Sequence, residues 1–239
     1  TMGEGGAVNI VRTAGLKLLV ESFRDWGRDC WCASGVDNTC NKRFGWQLGD
    51  LPEGFDHKYI YTHLGYNLKP TDPQAAIGLR QLRKLPSFVE ARKRNWLRLR
   101  AALDRHSDVL DFQLPTHATG WTSDGFSWDA SGHRSDPSWF GFMIRVRPGG
   151  RVSRKDLAIA LDEAKIGNRM LFGGNLVRQP VFAQRKSWPT PGFRTVGDLA
   201  GADAIMNEVL FVGVYPGLTA AMIAHIAATI GQAIEGKAR

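Results

Sequence analysis

At 239 residues, 43% hydrophobic and 23% charged, the chain can form one large domain or two small ones around a sizeable core. This is the balance of a soluble globular protein, and no apolar run reaches the length a bilayer-spanning helix needs. The formal net charge of +8 suggests an anionic partner such as nucleic acid, a membrane surface or a phosphorylated small molecule. No zinc-finger or RNA-recognition signature accompanies it.

The chain opens Thr1-Met-Gly-Glu-Gly-Gly-Ala-Val8, a glycine-rich turn feeding an apolar segment. That reads as a start in mid-motif, and the expectation is a piece of a longer protein. Leu16, Leu19, Val20, Phe23 and Trp26 recur at helical spacing, which predicts a helix over 14–26 stopped by Gly27. Residues 28–56 have little periodicity and form a long loop, of the length that usually serves function. Thr71 and Gln74 make a capping box, with Pro73 tolerated in the first turn, and predict a helix running to Leu82 or Leu85. Ser87 and Glu90 repeat the signal and predict a second helix to about His106, with Trp96, Leu99 and Leu103 on one face. The basic surplus is densest between Arg80 and Arg105 and reads as a solvated helix face.

Residues 115–137, rich in Gly, Ser, Asp and Thr, read as an exposed excursion. Ser138–Val146 has the pattern of a buried strand. Ser153 should cap a helix that turns Leu157, Leu161 and Ala164 inward. Residues 166–182 read as a turn through Gly173 and Gly174. A helix near 201–208, a strand over Val209–Val214 and a helix from about Thr219 to Ile234 complete a compact α/β unit.

The three cysteines, Cys30, Cys32 and Cys40, have one and then seven residues between them. An odd count at this spacing suits a disulfide framework poorly and predicts a reducing cytoplasm. Gly35, Asp37 and Asn38 let the chain turn so that three thiols converge. Convergence points to a metal, which typically takes four protein ligands. Either the fourth lies outside this chain or the cysteines are not ligands at all, and the spacing does not choose the metal. Gly3-Glu-Gly-Gly6 is a tight turn or a phosphate cradle. Asn67 in Gly65-Tyr-Asn67, just before a capped helix, ends an ordinary turn or meets an anion. Arg169 and Arg178, flanking a glycine turn, are surface residues or contacts to a phosphate or sugar. The six histidines, His57 and His63 among them, read as structural.

Taken together, Gly3-Glu-Gly-Gly6, the cysteine set, Asp56-His-Lys-Tyr-Ile-Tyr-Thr-His-Leu-Gly-Tyr-Asn-Leu-Lys-Pro-Thr-Asp72, Gln74-Ala-Ala-Ile-Gly78 and Leu171-Phe-Gly-Gly-Asn-Leu-Val-Arg-Gln-Pro180 resemble the DegT/DnrJ/EryC1/StrS nucleotide-sugar aminotransferase family. The resemblance covers nearly the whole chain, most weakly over 110–137. The cysteine set is similar to that of its iron–sulfur branch, the CDP-4-keto-6-deoxyglucose 3-dehydrases of lipopolysaccharide 3,6-dideoxyhexose synthesis. It implies an α/β fold, the C-terminal portion of a fold-type I pyridoxal-phosphate transferase. Residues 1–86 would end the large cofactor domain, 87–106 would be a linking helix and 107–239 the small domain.

The resemblance further implies that Cys30, Cys32 and Cys40 ligate a [2Fe–2S] cluster whose fourth cysteine lies far upstream. A catalytic histidine replacing the Schiff-base lysine would also precede Thr1. Asn67 would reach the phosphate of pyridoxamine 5'-phosphate (PMP/PLP) across a homodimer interface, and Arg169 and Arg178 would contact the CDP-sugar. The hydroxyl at carbon 3 of the 4-keto sugar would leave while the cofactor acts as electron sink. Electrons would come through the cluster from an iron–sulfur flavoprotein reductase, with no nucleic acid or membrane as partner. The competing readings are a pyridoxal-phosphate sugar aminotransferase with idle cysteines and a non-catalytic metal- or nucleic-acid-binding module. That this chain is a fragment inactive by itself is compatible with the leading reading and is expected of it.

Overall fold

The computed structural model describes residues 1–32, 35–190 and 192–236, with the side chain of Ala14 left out. Its contacts divide the chain into two compact units, Thr1–Lys84 and Leu85–Arg239.

The first unit begins as an extended segment. The amino group of Thr1 meets Gln81 Oε1 at 3.0 Å, and Met2 lies against Gly78. Helix α1 spans Ala14–Arg24, two residues shorter than the periodicity predicts. Trp26 and Gly27 take φ of 60° and 79°, and the Gly27 N–H closes back on Ser22 O at 2.7 Å, a Schellman-type end. The predicted apolar face is present but largely exposed: Leu16, Leu19, Phe23 and Trp26 all retain more than a third of their surface. Among the described residues this unit has only isolated bridges and no strand ladder to cover that face.

Helix α2, Asp72–Leu103, replaces the two predicted helices with one element of 32 residues that carries Pro86 inside it. Thr71 and Gln74 do form the start, with Gln74 Oε1 accepting from both the backbone N–H and the hydroxyl of Thr71. The Ser87–Glu90 signal opens nothing. Extending a helix costs far less than nucleating a new one, and Ala91, Asn95, Trp96, Leu99 and Leu103 bury a continuous face beyond the proline. The basic run is also less solvated than expected. Arg92 donates to Trp139 O at 2.9 Å, Lys93 pairs with Asp136 at 2.7 Å, and Arg100 lies over the rings of Phe112 and Trp121 at 4.6 and 4.4 Å.

The second unit is built on a four-stranded antiparallel sheet in the order β1-β4-β6-β5. Its strands are β1 Leu110–Phe112, β4 Gly141–Val146, β5 Asn168–Met170 and β6 Val209–Gly213. Between β1 and β4 stands a hairpin, β2 Ala118–Thr122 and β3 Gly125–Trp128, inside the stretch read as an excursion. Its signal is the alternation of Trp121, Phe126 and Trp128 around a two-residue turn at Ser123-Asp124, with Gly125 opening β3 at φ 137°. Trp121 and Phe126 pack against the core.

Helices α3 Arg154–Glu163, α4 Pro180–Ala183, α5 Ala200–Glu208 and α6 Ala220–Glu235 complete the unit. Ser153 caps α3, as the sequence predicts, and Asp156 completes a reciprocal capping box with it. The core gathers Leu99 and Leu103 of α2, Phe142 and Ile144 of β4, Leu157 and Leu161 of α3, Leu210 of β6 and Ile230 of α6, all at 0% exposure. Trp96 stacks on Trp139 with ring centroids 4.5 Å apart. Asn95, buried beside them, donates to Tyr215 O at 2.9 Å. Among the described residues no helix is long and apolar enough to cross a membrane.

Candidate functional site

The loop after α1 brings the three cysteines to one place. Turns at Asn38 and Asn41, both at φ 56°, reverse the chain around Cys40, and Asn38 Oδ1 accepts from Arg43 N at 3.2 Å. The three thiols then line a single small cavity of about 20 Å³ together with Asp37, Asn38, Arg43, His57 and Lys58. None of the three is in a disulfide. Their acidities diverge. The Thr39 hydroxyl, donating to sulfur, lowers the Cys32 thiol to about 7, whereas burial pushes Cys30 up. The two cations at the cavity are already paired, Arg43 with Asp56 at 2.6 Å and Lys58 with Asp37. Those pairs hold both carboxyl groups below their usual range. Among the described residues no three His, Cys, Asp or Glu side chains are grouped closely enough to hold one ion.

Asn67 is placed by the end of α1. That end leaves carbonyls without intrahelical donors, and the segment after Gly65 supplies them: Tyr66 N–H donates to Phe23 O at 2.7 Å and Leu68 N–H to Arg24 O at 2.9 Å. In return Trp26 N–H donates to Tyr66 O at 2.9 Å, and Asp25 bridges Asn67. The crossing is possible because both chains carry glycine. A Cβ on Gly65 would sit 2.0 Å from Gly27 N, and one on Gly27 would sit 1.7 Å from His63 O. Asn67 itself is exposed. Beside the crossing lies a cleft of about 580 Å³ whose lining includes Arg24, Arg28, Lys69, Cys30, Cys32 and His63.

His63 and His57 have the partners expected of structural histidines. His63 Nδ1 is 3.1 Å from Ser22 Oγ. His57, 2% exposed, is 2.8 Å from Asp29 Oδ2. The sequence alone did not single out Asp29, Asn175 or Asp203: Asp29 stands one residue outside the cysteine set, Asn175 sits unremarked inside the glycine-turn motif, and Asp203 meets Arg178 from 25 residues away.

The two arginines belong to the second unit. Arg169 lies on β5, exposed, with Nη1 on Asn168 O at 2.7 Å. It also lines a mainly apolar cavity of about 490 Å³ with Phe140, Phe211 and Tyr215. Arg178 follows the Gly173-Gly174 turn and forms a two-pronged pair with Asp203 at 2.5 and 2.6 Å. Asn175 donates to the same carboxylate at 2.7 Å. The Arg178 guanidinium foremost, and then the Asn175 amide, hold Asp203 down to about 2.

The chain as a whole has known relatives. The sequence is 52% identical over 219 residues to the lipopolysaccharide biosynthesis protein RfbH of Salmonella typhimurium, covering 92% of this chain and 45% of that protein. It is 44% identical over 232 residues to the dTDP-4-dehydro-2,6-dideoxy-D-glucose 3-dehydratase of Saccharopolyspora spinosa, covering 97% of this chain and 45% of that enzyme. In fold it is similar to the Escherichia coli GDP-4-keto-6-deoxy-D-mannose-3-dehydratase with bound hydrated PLP. The TM-score is 0.62 at 24% identity, over 89% of this chain and 46% of that one. The chain thus spans about half the length of the relatives it matches. The profile of the DegT/DnrJ/EryC1/StrS aminotransferase family matches residues 1–231, and the chain belongs to that family.

Proposed function

We propose that this chain is the C-terminal portion of a CDP-4-keto-6-deoxy-D-glucose 3-dehydrase that depends on pyridoxamine phosphate and a [2Fe–2S] cluster and serves 3,6-dideoxyhexose and O-antigen synthesis. The observation that carries the reading is the convergence of Cys30, Cys32 and Cys40 on one cavity in a chain 52% identical to RfbH. The donor set fits such a cluster in kind: three soft thiols, one of them lowered to about 7 and so partly ionised at neutral pH. A fourth thiolate would come from outside these residues, as would the histidine that moves protons in place of a Schiff-base lysine. When bound, the cofactor supplies an electron sink for loss of the C3 hydroxyl, and the cluster supplies single electrons.

The remaining roles fall to this chain's own groups. Asn67, held at the Gly27–Gly65 crossing, would donate its amide to the cofactor phosphate of the second subunit in a homodimer. Arg169 and Arg178 would orient the nucleotide-sugar. Asp203 fixes the Arg178 guanidinium by two hydrogen bonds, so that arginine meets a substrate oxygen with its orientation already set. In this reading 1–86 close the cofactor domain, 87–106 link, and 107–239 form the small domain. The enzyme is cytoplasmic and draws electrons from an iron–sulfur flavoprotein reductase.

The test is the iron and sulfide content of the complete gene product purified without oxygen, with EPR after reduction. About two irons and two sulfides per chain, lost in Cys40→Ser, are expected. Zinc alone would make this a structural metal site. No metal, with a Schiff-base absorbance, would identify an aminotransferase with idle cysteines.

A further inference from the structure

His57 is tied to both ends of the cysteine loop. Its backbone N–H donates to Arg43 O at 2.8 Å, three residues beyond Cys40. Its ring Nε2 meets Asp29 Oδ2 at 2.8 Å, one residue before Cys30. All three thiols lie between those two anchors. Asp29 is itself fixed, because its N–H donates to Ile60 O at 2.9 Å. Arg43 is held a second time through its side chain on Asp56, the residue before His57.

The ring faces of His57 are used as well. Trp46 stacks on it at 4.8 Å and 22°, and Trp31, the residue between Cys30 and Cys32, meets it edge-on at 5.1 Å. Trp31 and Trp46 also touch each other edge-on at 5.7 Å. The Trp46 indole N–H is buried without an acceptor among the described residues, so this packing outweighs an unmet donor. The same imidazole lines the cavity of the three thiols.

The geometry points to His57 as the positioning residue of the cysteine loop: with Asp29 it clasps positions 29 and 43 together, and through Trp31 it holds the segment that carries Cys30 and Cys32. The inference rests on the iron–sulfur reading for its purpose, although the clasp itself belongs to the protein without metal. A loop left open must be closed by whatever binds to it, at an entropic cost that lowers affinity. An aspartate that accepts from the histidine ring fixes the ring's orientation.

The test compares wild type, His57→Ala, His57→Gln and Asp29→Ala in the complete gene product. In the metal-free protein, hydrogen exchange is read at Asp29–Cys32 and Gly35–Arg43, with α1 as the reference for an intact first unit and α6 for an intact second one. His57→Ala should speed exchange across the loop about tenfold or more, the scale of one hydrogen bond to a charged acceptor, and leave α1 and α6 unchanged. Asp29→Ala should do the same. His57→Gln, which keeps a donor for Asp29, should recover part of the protection. In the loaded protein, iron should be lost to a chelator roughly 10- to 100-fold faster in His57→Ala than in wild type.

Loop exchange and iron retention equal to wild type in His57→Ala would overturn the assignment. Should that variant lose α1 or α6 protection, Asp29→Ala and His57→Gln decide by the same two readouts. A wild-type protein that takes up no iron would sink the iron–sulfur reading, whereas the exchange data would still judge the clasp.

Discussion

Replacing Gly65 by alanine tests the crossing that holds Asn67. The new Cβ would stand 2.0 Å from Gly27 N, 2.5 Å from Trp26 C and 2.8 Å from Gly27 Cα. All three are backbone atoms, so no side chain can swing away. Separating the two segments to ordinary contact breaks the bonds that span them: Trp26 N–H to Tyr66 O, Tyr66 N–H to Phe23 O and Leu68 N–H to Arg24 O, each 2.7 to 2.9 Å. At about 1 kcal/mol net per bond, the loss of all three comes to roughly 3 kcal/mol. The smaller unfolded-state entropy of alanine returns about 0.4 to 1 kcal/mol. A net weakening of about 2 kcal/mol should raise hydrogen exchange at Trp26, Tyr66 and Leu68 roughly 30-fold. Gly6→Ala is the control, since its Cβ would meet nothing within 4 Å. Exchange at those three amides unchanged in Gly65→Ala would refute the argument that glycine is required there.

In the second unit, Leu99→Ala removes a side chain at 0% exposure from the centre of the core and should cost about 3 kcal/mol in urea unfolding; a loss below about 1 kcal/mol would mean the core collapses around the gap. Ser153→Ala removes the side-chain half of the capping box, in which Ser153 Oγ accepts from the Asp156 N–H, and should destabilise by about 1 kcal/mol, a cost that Ser153→Asp should largely avoid. Asp203 titrates at about 2 in the folded protein against an ordinary 3.8. Its contribution is therefore complete above about pH 4 and fades as pH falls towards 2. Stability measured across that window should decline less steeply in Asp203→Asn than in wild type, and parallel acid profiles would contradict the pairing with Arg178.

The elements legible in the sequence were those whose local chemistry agrees with their packing. Ser153 marked α3, Thr219 marked α6, and the run into Val146 marked a buried strand. Sequence and structure part where packing outranks a local signal. Ser87 and Glu90 spell a helix start, but the buried face through Trp96 and Leu103 carries the preceding helix straight through Pro86. The hairpin at 118–128 was hidden because Gly, Ser and Asp dominate its composition while its three aromatics carry its energetics. Within the candidate site, the cysteine spacing announced convergence; the three thiols do line one cavity, but among the described residues they are not grouped closely enough to hold one ion. His57 clasping both ends of the loop depends on a residue 28 positions from its aspartate, a pairing that no spacing rule can reach.

The pairing order of the sheet sets a timetable for synthesis. Strand β4 ends at Val146, and its central partner β6 begins only at Val209. At ribosomal rates of about 5 to 20 residues per second, β4 waits roughly 3 to 12 s for that partner. During the interval the edge holding Phe142 and Ile144 has only the three-residue β1 on its other side. An unpaired apolar edge of this kind is where a nascent chain recruits a chaperone or pairs with a neighbouring chain. Yield of the folded protein should therefore depend on translation speed through residues 147–208 more than on speed anywhere before them.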